Sequence, residues 1–210
     1  MPLEIVTLSL GPLQTNAYLA IDTLTREAVI VDPGDEARRV QTALREHRAR
    51  PLAIWLTHAH FDHVGAVAEL VEATPLPVLL HPDDVRLYDH ATEQAAAFGM
   101  MVRSPGVPTE PLQHGQVLEV GAHLARCLHT PGHAPGHVAF HFEADGVLLV
   151  GDALFAGSVG RTDLAFADHD TLMRSLREQL LPLPDETVVY PGHGPATTIG
   201  VERRSNPFLR

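Results

Sequence analysis

Apolar residues of this chain fall into short runs bounded by Gly, Pro and Asp, and their spacing switches between the periods of strands and helices. Alternation favours strands near Ile5–Leu10, Tyr18–Asp22 and Ala28–Val31. Val40, Leu44 and His47 stand at helical spacing and predict a helix from Asp35 to about Arg48. The run Pro51–Leu56 reads as a buried strand. A second helix is expected from Asp62, as its N-cap, to about Thr74, burying Val64, Val67, Ala68 and Val71. Pro75-Leu76-Pro77 stops it, and Val78–Leu80 opens the next strand. The segment Pro82 to Pro111 reads as helix and loop joining two halves. Strands follow near Val117–Glu119, Leu124–Leu128, Val138–Phe142 and Leu148–Val150, then a helix from Asp168 to about Leu181 and a last strand, Val188–Tyr190. With no linker, strict repeat or low-complexity segment, one α/β domain over residues 1–210 is expected.

The end of the Pro51–Leu56 run changes the picture. His58-Ala59-His60-Phe61-Asp62-His63 puts three imidazoles and a carboxylate into six residues. Buried polar groups each need a partner, which a polar loop cluster would not supply. One divalent ion serves several at once, because neutral imidazole and carboxylate oxygen are ordinary zinc ligands. His58 and His60 leave the strand end with period-two spacing and point the same way. Further ligand-type residues follow apolar runs and adjoin glycines: His133 after Gly132, Asp152 after Gly151, His193 after Gly192. These strand ends are expected to share one edge of a sheet. Seven such residues exceed the needs of one tetrahedral ion, so two ions are the economical reading. His58, His60 and His133 would hold one, Asp62, His63 and His193 the other, with Asp152 bridging. The ions of two-metal hydrolytic sites lie about 3.5–4 Å apart. The competing reading is one ion with spare histidines around it. His81, His129, His137, His141 and His169 read as structural or solvated, and Cys127 as an inert small hydrophobe in a buried strand.

Composition removes several alternatives. The hydrophobic fraction is 45% and no apolar stretch is long enough to span a bilayer. Met1-Pro2-Leu3-Glu4 lacks the basic start and apolar core of a signal peptide, and a single cysteine excludes an internal disulfide; a cytoplasmic location is expected. All fifteen basic residues are arginine, so lysine Schiff-base and P-loop lysine chemistry are absent. A formal net charge of −11 disfavours a nucleic-acid surface.

The His-Xaa-His-Xaa-Asp-His string with its later His, Asp and His resembles the metallo-β-lactamase superfamily. Leu10–Asn16, Val31-Asp32-Pro33-Gly34 and Gly151–Phe155 are similar to the glyoxalase II group. Gly157–Asp163 and Pro191–Pro195 through Arg204–Phe208 are similar to its short, single-domain bacterial branch. The resemblance implies a four-layer αββα sandwich of two similar halves, with a dimetal site at one edge. It implies zinc first, with iron or manganese also suited to nitrogen and oxygen donors. It also implies that Arg161 grips a substrate carboxylate and that Asp32 orients a ligand; for Asp32 an ordinary turn aspartate is the alternative.

The implied activity is that of a hydroxyacylglutathione hydrolase: a hydroxide shared by two ions attacks a thioester such as S-D-lactoylglutathione, giving a hydroxy acid and a free thiol. Asp62 and Asp152 would hold the hydroxide and accept its proton. The partner is a small-molecule thioester, with neither nucleic acid nor membrane, and the chain is a monomer or small homo-oligomer. Full-length glyoxalase II carries a C-terminal helical domain that supplies much of the glutathione site; none is expected here. The family's aromatic residue two positions after the loop's basic residue is Asp163 here, and the tyrosine expected after the last ligand histidine is Pro195. Glutathione is therefore in question, and another thioester or ester is an alternative. A second alternative is a persulfide dioxygenase with one iron on His58, His133 and Asp152.

Overall fold

The central strands are apolar throughout because both of their faces are covered. In the computed structural model, which describes residues 2–209, β1 (Leu3–Leu10), β2 (Thr15–Asp22), β3 (Glu27–Val31), β4 (Arg50–Trp55), β5 (Val78–Leu80) and β6 (Glu110–Pro111) form one sheet in that order. The second sheet runs β14 (Thr197–Thr198), β13 (Val188–Pro191), β10 (Val147–Gly151), β9 (Val138–Phe142), β8 (His123–His129), β7 (Val117–Val120). A small hairpin, β11 (Leu154–Phe155) with β12 (Ser158–Val159), stands apart.

Successive side chains of each inner strand enter different cores, as the two-residue period requires. Ala28 and Ile30 of β3 face helices α1 (Ala37–Glu46), α2 (Phe61–Val64), α3 (Val67–Ala73), α4 (Val85–Asp89) and α5 (Ala91–Ala97). Val29 and Val31 enter the layer between the sheets, where Trp55 packs 5.1 Å from Phe140. Leu148 and Val150 of β10 turn outward to α6 (His169–Ser175) and Ile199 of α7 (Ile199–Ser205), while Val147 and Leu149 turn inward. Three cores between four layers give the expected αββα sandwich. Among the described residues, no helix is long and apolar enough to cross a membrane.

Several elements depart from the sequence pattern. The helix expected from Asp62 to Thr74 is two helices. Its break at Gly65-Ala66 is made by the preceding loop: Ala66 N–H donates to Pro33 O at 2.9 Å, and a Cβ on Gly65 would lie 2.2 Å from Gly34 O. Leu70, not Ala68 or Val71, is its second buried apolar anchor beside Val67. Asp62 is not the N-cap; that position is His60, and Asp62 lies in the first turn with its carboxylate free for other partners. The helix expected from Asp168 is capped by that residue, Asp168 Oδ1 accepting from Thr171 N–H at 2.8 Å, and continues through a π-helical turn, Leu176–Leu180. Helix α7 and strands β6, β11, β12 and β14 were not legible in the periodicity, being too short to display one.

Candidate metal centre

The ligand-type residues do not leave one sheet. His58, His60, Asp62 and His63 follow β4 of the first sheet, whereas His133, Asp152 and His193 follow β8, β10 and β13 of the second. The expectation of a single sheet edge is corrected. The two sheets meet at one edge of the sandwich, tied there by Val138 N–H donating to Thr57 O at 2.7 Å. All seven residues converge at that edge. The candidate ligand atoms of His58, His60 and His133 lie within 4.8 Å of one another, and so do those of Asp62, His63 and His193. Asp152 faces both groups: Oδ1 lies 3.4 Å from His63 Nε2, and Oδ2 lies 3.6 Å from both His133 Nε2 and His193 Nε2.

Hydrogen bonds orient four of the five rings, while His60 Nδ1 and His133 Nε2 face each other at 2.9 Å. The Asp32 carboxylate accepts from Thr57, whose Oγ1 gives its proton to Asp32 Oδ2 at 2.6 Å. Thr57 Oγ1 can then only accept from His58 Nδ1–H, 3.0 Å away, which leaves the His58 Nε2 lone pair facing the site. Asp32 likewise accepts from His63 Nδ1–H at 3.1 Å. Backbone carbonyls do the same for His133 Nδ1 (Arg161 O, 2.8 Å) and His193 Nδ1 (Leu13 O, 3.2 Å). Outer hydrogen bonds of this kind orient metal-ligating imidazoles. Among the described residues, His58 Nε2, His63 Nε2 and Asp152 Oδ1 are buried without a partner. Buried polar atoms are rarely left so, and these three aim at the two donor groups. The donor set therefore fits two divalent ions bound by nitrogen and oxygen.

Charge agrees with this geometry. Burial, then the neighbouring imidazoles, hold His58 well below the usual histidine range; burial and His133 bring His60 to about 3, and burial lowers His133. These three present neutral lone pairs. Burial opposes charge on His63, yet Asp152 and Asp62 raise it; burial likewise opposes charge on His193, which Asp62 and Asp152 raise. Burial favours neutral carboxyls, but the His63 charge outweighs it, holding Asp62 at about 2 and Asp152 well below the carboxylate range. Two ionised carboxylates in a buried site call for cationic partners.

Of the residues that hold the ligands in place, sequence reasoning named Asp32 and missed the others. Asp32 is more than a turn aspartate, and Thr57 works with it. Asp84 accepts from Ala59 N–H at 3.0 Å and Gly136 N–H at 2.5 Å, pinning the backbone between His58 and His60 to the loop of the other half. His137, read as structural, lies fully buried and accepts from Asp152 N–H at 3.1 Å. Thr15 Oγ1 donates to Asp62 Oδ2 at 3.0 Å, and Asn16 Nδ2 donates to Pro191 O and Gly194 O, framing His193. The only local signal for these was Thr57 beside His58. His81 and His129 stack at 4.2 Å away from the centre, His141 is buried, and His169 is exposed. Cys127 is fully buried, and burial pushes its thiol up to about 12, consistent with an inert residue.

Asp84 supplies a pH prediction. Burial raises its pKa to about 6 despite the two backbone hydrogen bonds. A folded pKa above the unfolded value stabilises the fold below the unfolded pKa, and that contribution is lost as pH rises through about 6, roughly 3 kcal/mol in all. Asp84→Asn does not titrate. Urea denaturation of metal-free protein is expected to show the variant gaining on the wild type between pH 4 and 7. Parallel stability curves would contradict the assignment.

The centre opens into a cleft of about 560 Å³ walled by Phe61, Phe98, Phe155 and Leu164 and reached by Arg161. Phe98, at α5's end, lines the cleft, whereas Met101 is fully exposed and Met100 packs half-buried against the first core.

With this arrangement the chain belongs to the metallo-beta-lactamase superfamily, which it matches over residues 10–193. Among curated relatives it is 38% identical to the hydroxyacylglutathione hydrolase GloC of Haemophilus influenzae, covering 100% of this chain and 98% of that one. Among solved structures it is similar to TTHA1623 in a di-iron-bound form (50% identity, TM-score 0.90, 97% of this chain and 100% of that). The BLEG-1 B3 metallo-beta-lactamase follows at 41% identity and TM-score 0.92 over 98% of this chain and 99% of that. ETHE1 from Myxococcus xanthus is 28% identical, TM-score 0.79, over 97% of this chain and 83% of that.

Proposed function

We propose that this metallo-hydrolase is a dinuclear thioesterase of the hydroxyacylglutathione hydrolase type, acting on a small-molecule thioester such as S-D-lactoylglutathione. The observation that carries the reading is Asp152, whose two oxygens face a His58/His60/His133 group and an Asp62/His63/His193 group at once. The first group would hold one ion, the second the other, and Asp152 would be shared. Bound ions would supply a Lewis acid for the carbonyl and lower the pKa of a water to about 7. The chain's own contribution is placement. Asp32 and Thr57 lock His58 and His63 with their Nε2 atoms inward, so the rings are already oriented for an ion. Asp62 and Asp152 stay ionised at the cleft floor, positioned to orient a water and take its proton. The likeness to GloC supports a thioester, whose thiolate leaves with little need of an acid.

Zinc is the first expectation for the metal; the likeness to a di-iron structure supports iron equally. The likeness to ETHE1 favours a second reading, a mono-iron persulfide dioxygenase using His58, His133 and Asp152. The expected result is hydrolysis of S-D-lactoylglutathione or a simpler thioester that disappears on chelation and returns with added metal. Oxygen consumption on glutathione persulfide without thioester cleavage would establish the second reading. Cleavage of β-lactams alone would replace both.

A further inference from the structure

The strongest unexplained feature of the cleft is its charge. Apart from the seven residues of the centre, the one charged residue lining it, among the described residues, is Arg161. That guanidinium is already engaged. Arg161 Nε donates to Asp163 Oδ1 at 2.7 Å and Nη2 donates to Asp163 Oδ2 at 2.8 Å, a two-pronged pair that uses the edge best shaped for a carboxylate. Arg161 also has its backbone carbonyl on His133 Nδ1, which anchors the loop and keeps the guanidinium at the cleft. The remaining walls are mostly apolar, with Leu87, Ala97, Phe98, Phe155, Val159 and Leu164, and Ser158 adds one hydroxyl, which faces Val159 O at 3.5 Å. Gln94 adds a polar group there, but its amide nitrogen is committed to Leu87 O at 2.6 Å.

We infer that Asp163 masks Arg161, and that the cleft therefore selects substrates whose arm is uncharged and largely apolar over those bearing carboxylates. The inference rests on the thioesterase reading for the identity of the reacting bond, but not for the selectivity. An anionic peptide thiol must compete with an intramolecular carboxylate for Arg161 and lay its charge along apolar wall, both of which weaken it. An uncharged arm meets the same wall at no electrostatic cost.

Binding separates the two claims because it needs no turnover. The probes are two thioethers with the same hexyl chain, S-hexylglutathione and S-hexyl-N-acetylcysteamine, titrated calorimetrically into metal-replete wild-type protein. The uncharged thioether is expected to bind at least about tenfold tighter. Asp163→Asn is expected to shift the preference toward the glutathione thioether by about tenfold, and adding Arg161→Ala to that variant is expected to cancel the shift. Equal or tighter binding of the glutathione thioether by wild type, or a preference that Asp163→Asn leaves unmoved, overturns the inference. Hydrolysis of the lactoyl thioesters of the same two thiols is measured in parallel. Selective binding without hydrolysis of either upholds the cleft selectivity and removes the thioesterase reading; hydrolysis with reversed selectivity does the opposite.

Discussion

Asp152→Ala is expected to cost both metal and rate. Metal content falls to one ion per chain or fewer, and thioester turnover falls by about three orders of magnitude, some 4 kcal/mol of transition-state stabilisation. The reason is that, among the described residues, Asp152 is the sole carboxylate within 3.6 Å of both the His133 and His193 Nε2 atoms. A second consequence identifies the mechanism of the loss. Asp152 is the leading charge that raises His63 against burial, so without it and without metal His63 becomes easier to deprotonate. An NMR titration of the metal-free variant reads this directly. A variant that retained two ions and near-normal turnover would show that the shared carboxylate is not central.

Gly192→Ala is expected to damage the same centre with all seven donors still present. A Cβ at this position would lie 2.0 Å from Asp152 Oδ1 and 2.7 Å from His63 Cε1, with no space for either to keep its place. The backbone cannot yield freely, because Gly192 N–H donates to Gly151 O at 2.8 Å and Gly192 O accepts from Asn16 N–H at 2.7 Å. Displacing the groups that orient ligands typically lowers metal affinity or activity by about 10–100-fold, and loss toward the upper end is expected here. Metal titration with a chromogenic competitor, alongside circular dichroism to verify the fold, measures it. Wild-type affinity in a folded Gly192→Ala protein would mean the turn does not pack against Asp152 as described.

The candidate donor residues were legible because they are residue types at strand ends, which sequence displays directly. His58, His60, Asp62 and His63 lie within six residues, and His133, Asp152 and His193 each follow an apolar run and a glycine. The strands were legible for the same reason of period, and the buried ones most clearly. What was not legible depends on contacts distant in sequence. Asp84 reaches Gly136 across 52 positions, and Asn16 reaches Pro191 across 175. Nothing in the local pattern around Asp84 distinguishes it from its exposed neighbour Asp83. The helix break at Gly65 is of the same kind, since Pro33 and Gly34 impose it from outside. The division of ligands between two sheets was missed because periodicity identifies strands but not their partners.

The most direct test of the account is metal stoichiometry on freshly purified wild-type protein, read by mass spectrometry of the elements and paired with oxygen uptake and thioester cleavage on the same sample. About two ions per folded chain, lost together with thioester cleavage on chelation, is the predicted result. A single iron per chain, with oxygen consumed on a persulfide and no thioester cleaved, would contradict it and leave Asp62, His63 and His193 without the role proposed for them.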